Sequence, residues 1–159
     1  MLHIKLITVG NLKESYWRDA VAEYEKRLGA YARIEIAERR EARLSDTPSD
    51  AEIAQALERE ADDILAQIPK RATVVALCVE GKQLSSEELA DTLARAMRES
   101  GELCLIIGSS HGLSPRVKQA AQLRLSVSRL TFPHQLMRVL LLETLYRSLS
   151  ILHGSRYHK

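Results

Sequence analysis

Strand-like and helix-like segments alternate along this chain from end to end, and that alternation restricts the fold more than any other feature. Leu2 to Val9 is an apolar run of strand length that stops at Gly10. From Glu14 to Leu28, Trp17, Val21, Tyr24 and Leu28 recur at spacings of three and four, one face of a helix, with Gly29 placed to end it. Arg33 to Ala37 alternates in polarity as a short strand. Ser49-Asp50-Ala51-Glu52 has the spacing of a capping box, and Ile53, Leu57, Ile64 and Ile68 carry an apolar stripe from there to Pro69, acidic on the outside. Thr73 to Val79 and Leu103 to Ile107 are nearly continuous apolar runs, as strands buried on both faces of a parallel sheet require. Between them Ser85-Ser86-Glu87-Glu88 opens a helix that runs through Met97 and closes at Gly101. Ser114 and Pro115 start a short helix, Leu123 to Val127 is the last strand, and Leu130 to Pro133 turns into a final helix from His134 to Leu152. No repeat or linker interrupts the pattern. The expectation is a single α/β domain, residues 1–159, built on a parallel sheet.

The final helix is apolar over more than one stripe, at Leu136, Val139, Leu140, Leu142, Leu145 and Leu149. Such a helix must be covered on more than one side, and in a small chain a second copy can supply that cover, so a homodimer is expected. Cys78 and Cys104 sit inside apolar runs as small core hydrophobes, without the paired framework of an oxidising compartment. The N-terminal run is too short for a signal peptide, and no stretch approaches the ~20 apolar residues that cross a bilayer. A soluble, cytoplasmic protein without membrane contact is expected. Net charge is only +2, but Pro115 to Lys159 holds eight basic residues against Glu143 alone, a local +7; the first 114 residues carry the remaining −5. A polyanion partner would therefore meet the C-terminal third.

Open parallel sheets bind ligands beyond the carboxyl ends of their strands. The loops there are Gly10-Asn11-Leu12, Glu80-Gly81-Lys82, Gly108 to Leu113, and Ser128 to Phe132. Glycine permits both close backbone approach to a ligand and a plain tight turn, so Gly108-Ser109-Ser110-His111-Gly112 by itself does not choose between them. Its spacing is not GxGxxG, which disfavours an ordinary dinucleotide site. Five scattered histidines and two buried cysteines give no metal-ligand spacing, and no metal is expected.

The strings LIIGSSHGLS and LSVSRLTFPHQLMRVLLLETLYRSLSILHGSRYHK, in that order, resemble the RlmH family of SPOUT-class RNA methyltransferases. MLHIKLITVG, VVALCVEGK and the terminal Tyr157-His158 are similar too. At Ser109-Ser110-His111 the family more often has a second glycine, then proline or alanine and an acidic residue. The resemblance implies an α/β knot with a C-terminal trefoil, a homodimer, and S-adenosylmethionine as cofactor. It further implies N3-methylation of a pseudouridine in helix 69 of 23S ribosomal RNA on the assembled ribosome. By position it assigns the cofactor to Leu77, Gly108, Val127, Ser128, Arg129, Leu130, Thr131 and Phe132.

Methyl transfer to a uracil nitrogen requires positioned reactants and a group that takes the N3 proton. His134 and His158 suit that role by type, Tyr157 can stack on or hydrogen-bond to the base, and Arg147 can stabilise a developing anion. Arg129, Arg138 and Arg156 are the expected RNA contacts. Each has a plainer reading: His134 after Pro133 as a helix-start residue, Arg138 or Arg147 as an ion-pair partner of Glu143, and Tyr157 to Lys159 as a frayed terminus. Two other functions stay open, a non-catalytic ribosome-binding factor and a methyltransferase of this fold with another substrate.

Overall fold

The computed structural model describes all 159 residues. Its elements are β1 (Leu2–Val9), α1 (Ser15–Leu28), β2 (Ala32–Arg39), α2 (Asp50–Gln67), β3 (Thr73–Lys82), α3 (Ser86–Glu99), β4 (Glu102–Ile107), α4 (Pro115–Ala120), β5 (Leu123–Leu125) and α5 (His134–Leu152). The five strands form one sheet in the order β2-β1-β4-β3-β5, and every pair is parallel. Alternating side chains give the sheet two cores. Leu2, Ile4, Leu6, Leu103 and Leu105 face α1, α3 and α5; Ile7, Val9, Cys104, Ile106 and Val74 face α2 and α4. Both expected cysteines are free and buried in the second core.

Local signals set the helix ends. Ser85 and Glu88 form a complete capping box, whereas at α2 only half of one is made. There the Ser49 hydroxyl accepts from the Glu52 N–H at 3.2 Å, but the Glu52 carboxylate takes hydroxyls of Ser45 and Ser49 instead of the Ser49 backbone N–H. Gly101, at φ +73°, donates to the Ala96 carbonyl at 2.9 Å and ends α3.

Three strand boundaries differ from expectation for tertiary reasons. β2 runs on to Arg39 because all eight of its residues pair with β1. β3 extends to Lys82, and its ladder with β5 skips from Leu77 to Lys82, both opposite Leu125. β5 stops at Leu125 because serines then take over the backbone groups: the Ser126 hydroxyl donates to the Ser128 carbonyl at 2.9 Å, and the Ser128 hydroxyl accepts from Leu130 N–H at 3.0 Å.

Much of the cover over α5 comes from the chain itself. The helix lies between α1 and α3 over the sheet, where Leu141, Leu142, Leu145 and Leu149 are all fully buried. Most of its apolar girth is thus enclosed by the chain itself. Leu136, Val139 and Leu140 remain partly exposed.

Candidate active site

Three segments distant in the chain converge at the carboxyl ends of β3, β4 and β5 around a cavity of about 740 Å³. That lies within the roughly 300–1,000 Å³ of small-molecule sites. The first is the loop after β4. An added Cβ on Gly108 would lie 2.2 Å from the Gly112 carbonyl oxygen, so no side chain fits there. The loop folds back on itself: the Gly112 N–H donates to the Ser109 carbonyl at 2.9 Å, and Gly112 has φ +89°. Beneath it, buried Glu60 accepts from the Ala42 N–H at 2.9 Å and from the Ser109 hydroxyl. Burial pushes the Glu60 carboxyl up, and these hydrogen bonds only partly oppose it.

The second segment is the end of β3. Leu77 and Cys78 line the cavity, and Glu80 pairs there with Lys118. Gly81 crosses so close to β5 that a Cβ would sit 2.7 Å from the Arg124 carbonyl oxygen. The third is the serine-turned stretch from Ser126 to Pro133, leading into α5 with His134 and Met137 on the cavity wall. Leu77, Ile107, Leu113, Val127, Phe132 and Met137 make the wall largely apolar, while the turned backbones supply polar groups.

Of the residues assigned to the cofactor, Leu77, Gly108, Val127, Ser128, Leu130, Thr131 and Phe132 all line this one cavity, together with His134. Arg129 does not; its side chain is exposed outside the wall. Arg138 is placed differently from an RNA contact. It is 3% exposed and locked to Glu38 at 2.6 Å and to the Gly10 carbonyl at 3.3 Å, so its guanidinium braces β1 and β2 against α5. Arg138→Met is accordingly expected to cost about 2 kcal/mol in stability, read by urea denaturation, because it orphans these two acceptors.

Arg147, Tyr157 and His158 form a second cluster at the other end of α5. The Arg147 guanidinium pairs with Glu143 at 2.7 Å and lies 4.7 Å from the Tyr157 ring centroid. The Tyr157 hydroxyl donates to Glu143 at 2.9 Å, and His158 Nε2 sits 2.8 Å from Glu87. The tail is therefore folded back onto α5 and the start of α3, while Arg156 on it stays exposed. Thirteen helical residues separate His134 from Arg147, about 20 Å, so a chain's tail does not reach its own cavity in this arrangement.

Burial disfavours the Glu143 charge, but hydrogen bonds from Tyr24, Tyr157 and Arg147 outweigh it and hold the carboxyl low. The same contacts, after burial, push Tyr24 up to about 12. Glu87 is held low by its own backbone N–H and then by His158. Because both carboxyls titrate below their ordinary value of 4.5, the tail contacts are fully present above it and are lost as pH falls through the lowered values. On acidification, proton resonances of Tyr157 are expected to shift toward free-peptide positions in that window.

Glu60, Cys78 and Met137 are site residues not singled out from sequence. Glu60 had a legible signal, since it falls on the inner stripe of α2 between Leu57 and Ile64; Gly81, in a loop expected near a ligand, packs against β5 without lining the cavity. The C-terminal charge also changes meaning. Arg116 pairs with Glu58 and Asp62, Lys118 with Glu80, Arg138 with Glu38 and Arg147 with Glu143, so half of its eight cations are already neutralised.

No helix is long and apolar enough to cross a membrane, and no three His, Cys, Asp or Glu side chains are grouped to hold a metal ion. The model of the family described as "Predicted SPOUT methyltransferase" matches residues 2–158. With a five-stranded parallel α/β sheet and an apolar cavity of cofactor size at its carboxyl edge, the chain belongs to the SPOUT methyltransferase family.

Proposed function

We propose that this protein is a cytoplasmic, homodimeric enzyme that uses S-adenosylmethionine to methylate N3 of a pseudouridine in helix 69 of large-subunit ribosomal RNA, acting on the assembled ribosome. The observation that carries the reading is the convergence of Leu77, Gly108 and the Val127 to Phe132 stretch, apart from Arg129, on one cavity. The residues present fit the cofactor. Gly108 leaves backbone where a Cβ would clash, Leu77, Leu113, Val127 and Phe132 offer an apolar enclosure, and the loop backbones can pair with an adenine edge. Bound there, S-adenosylmethionine supplies the methyl group as an electrophile.

The chain's own residues would then position the base and manage one proton. His134, on the cavity wall, takes the N3 proton as the nitrogen lone pair accepts methyl. Arg129 and Arg156, both exposed, hold phosphates. Tyr157, His158 and Arg147 act at the cavity of the second copy, since they lie about 20 Å from their own. The dimer is supported by the partly exposed Leu136, Val139 and Leu140 on α5 and by Leu130, 71% exposed at the cavity rim. A C-terminal trefoil knot is part of the same proposal.

The test incubates the protein with radiolabelled S-adenosylmethionine and, separately, intact ribosomes, large subunits and bare ribosomal RNA, then maps any labelled nucleotide. Label on a helix 69 pseudouridine in ribosomes supports the reading. Label elsewhere reassigns the substrate, and cofactor binding with no label points to a non-catalytic ribosome-binding factor.

A further inference from the structure

A second, larger concavity of about 1090 Å³ runs between the start of β3, the second half of α3 and β5, and reaches Lys82 where β3 pairs with Leu125. Lys70, Arg71, Lys82, Arg95 and Arg98 line it, with Glu99 the one carboxylate. Its local balance of +4 exceeds the +2 of the whole chain. None of these five cations has a carboxylate within 4 Å; eleven other Lys and Arg are also unpaired, and what sets these five apart is that they gather on one groove. Five like charges left unpaired around one groove repel one another, and a polyanion laid along it relieves that repulsion while releasing its own counterions. The lining is polar, with Thr73, Thr92, Ser100 and Gln122 between the cations and no aromatic platform on which to stack unpaired bases.

We propose that this groove binds the phosphodiester backbone of RNA as a second contact, distinct from the methyl-transfer cavity; this rests on the reading that the substrate is RNA. The two sites share β3: Thr73 and Lys82 line the groove, whereas Leu77 to Glu80 line the cavity, Leu77 and Cys78 about 15 Å along the strand from Thr73. An RNA that engages both must extend along β3 from one site to the other. A short isolated stem-loop presented at the cavity therefore leaves the groove empty, and a larger folded RNA fills it.

The test compares wild type with the triple variant Arg71→Gln, Arg95→Gln, Arg98→Gln for binding to large-subunit ribosomal RNA and to a short helix 69 stem-loop across a salt series. S-adenosylmethionine affinity and thermal unfolding of both proteins are measured alongside. The variant is expected to keep cofactor affinity and unfolding temperature, to bind the large RNA roughly a hundredfold more weakly at 0.1 M salt, and to show a salt slope smaller by about 2–3. Its affinity for the stem-loop is expected to match wild type. Large RNA bound equally, with the same slope, by both proteins overturns the groove and leaves the methyl-transfer reading standing. RNA bound by neither protein overturns the groove, whereas the methyl-transfer reading, whose substrate is the assembled ribosome, falls only if intact ribosomes take no label.

Discussion

Replacing Gly108 with alanine is expected to weaken S-adenosylmethionine binding at least a hundredfold while lowering the unfolding midpoint by only several degrees. The added Cβ would lie 2.2 Å from the Gly112 carbonyl oxygen, 2.7 Å from its carbonyl carbon and 2.9 Å from a Leu113 methyl. The Leu113 methyl can swing aside, but the two Gly112 contacts are backbone, so the two sides of the fold-back must separate. A displacement of about 1 Å breaks backbone contacts to a bound group, and losing two hydrogen bonds of about 1.4 kcal/mol each is about a hundredfold in affinity. The stability cost stays near that of overpacking, about 1–3 kcal/mol, since the loop lies at the sheet edge and of the core residues only Leu113 is pressed. Gly112→Ala is the control. Its φ of +89° strains an L-residue by about 1 kcal/mol, yet its Cβ meets nothing within 4 Å, so binding should fall far less. Titration calorimetry with scanning calorimetry separates the two effects; unchanged affinity in Gly108→Ala removes the loop from the site.

Deleting Tyr157 to Lys159 is expected to lower turnover by a factor of roughly 10²–10³, the range of a lost hydrogen-bond donor to the reacting group, with cofactor affinity within about threefold of wild type. The deletion removes one hydrogen bond from Glu143 and the His158 contact to Glu87, but leaves Glu143 with Tyr24 and Arg147. Equal activity would return the tail to a structural role. Mixed dimers of the deletion and His134→Ala decide whose cavity the tail serves. If it acts on the second copy, the cavity of the truncated chain keeps His134 and receives an intact tail, so mixing two nearly inactive proteins restores activity. If the tail acts on its own cavity, no mixture does.

Much of the fold was legible because local rules and tertiary structure agree. Apolar runs of strand length bounded by glycine became β1, β3 and β4, and Ser85-Glu88, Ser114-Pro115 and Pro133-His134 started helices where their chemistry allows. Disagreement came where backbone groups found distant partners. Lys82 joined β3 because Ser126 N–H bonds its carbonyl at 2.9 Å, and β2 lengthened against the whole of β1. Charge was the least legible feature. The C-terminal +7 named a basic face by counting, yet four of its eight cations are spent on carboxylates up to 100 residues away, and the unpaired cluster lies in the segment that counts as acidic.

The sequence by itself determined the α/β class, the helix starts, the two free buried cysteines and the loops where a ligand would bind, because period, capping and turn chemistry act over a few residues. Only the tertiary structure decided that Arg129 stays outside the cavity that Leu77, Gly108 and Phe132 line, that Gly81 and Gly108 admit no side chain, and that Arg138 is a buried brace. It alone placed the tail about 20 Å from its own chain's cavity. Those facts depend on which distant backbones cross and which opposite charges meet, and no local pattern encodes either.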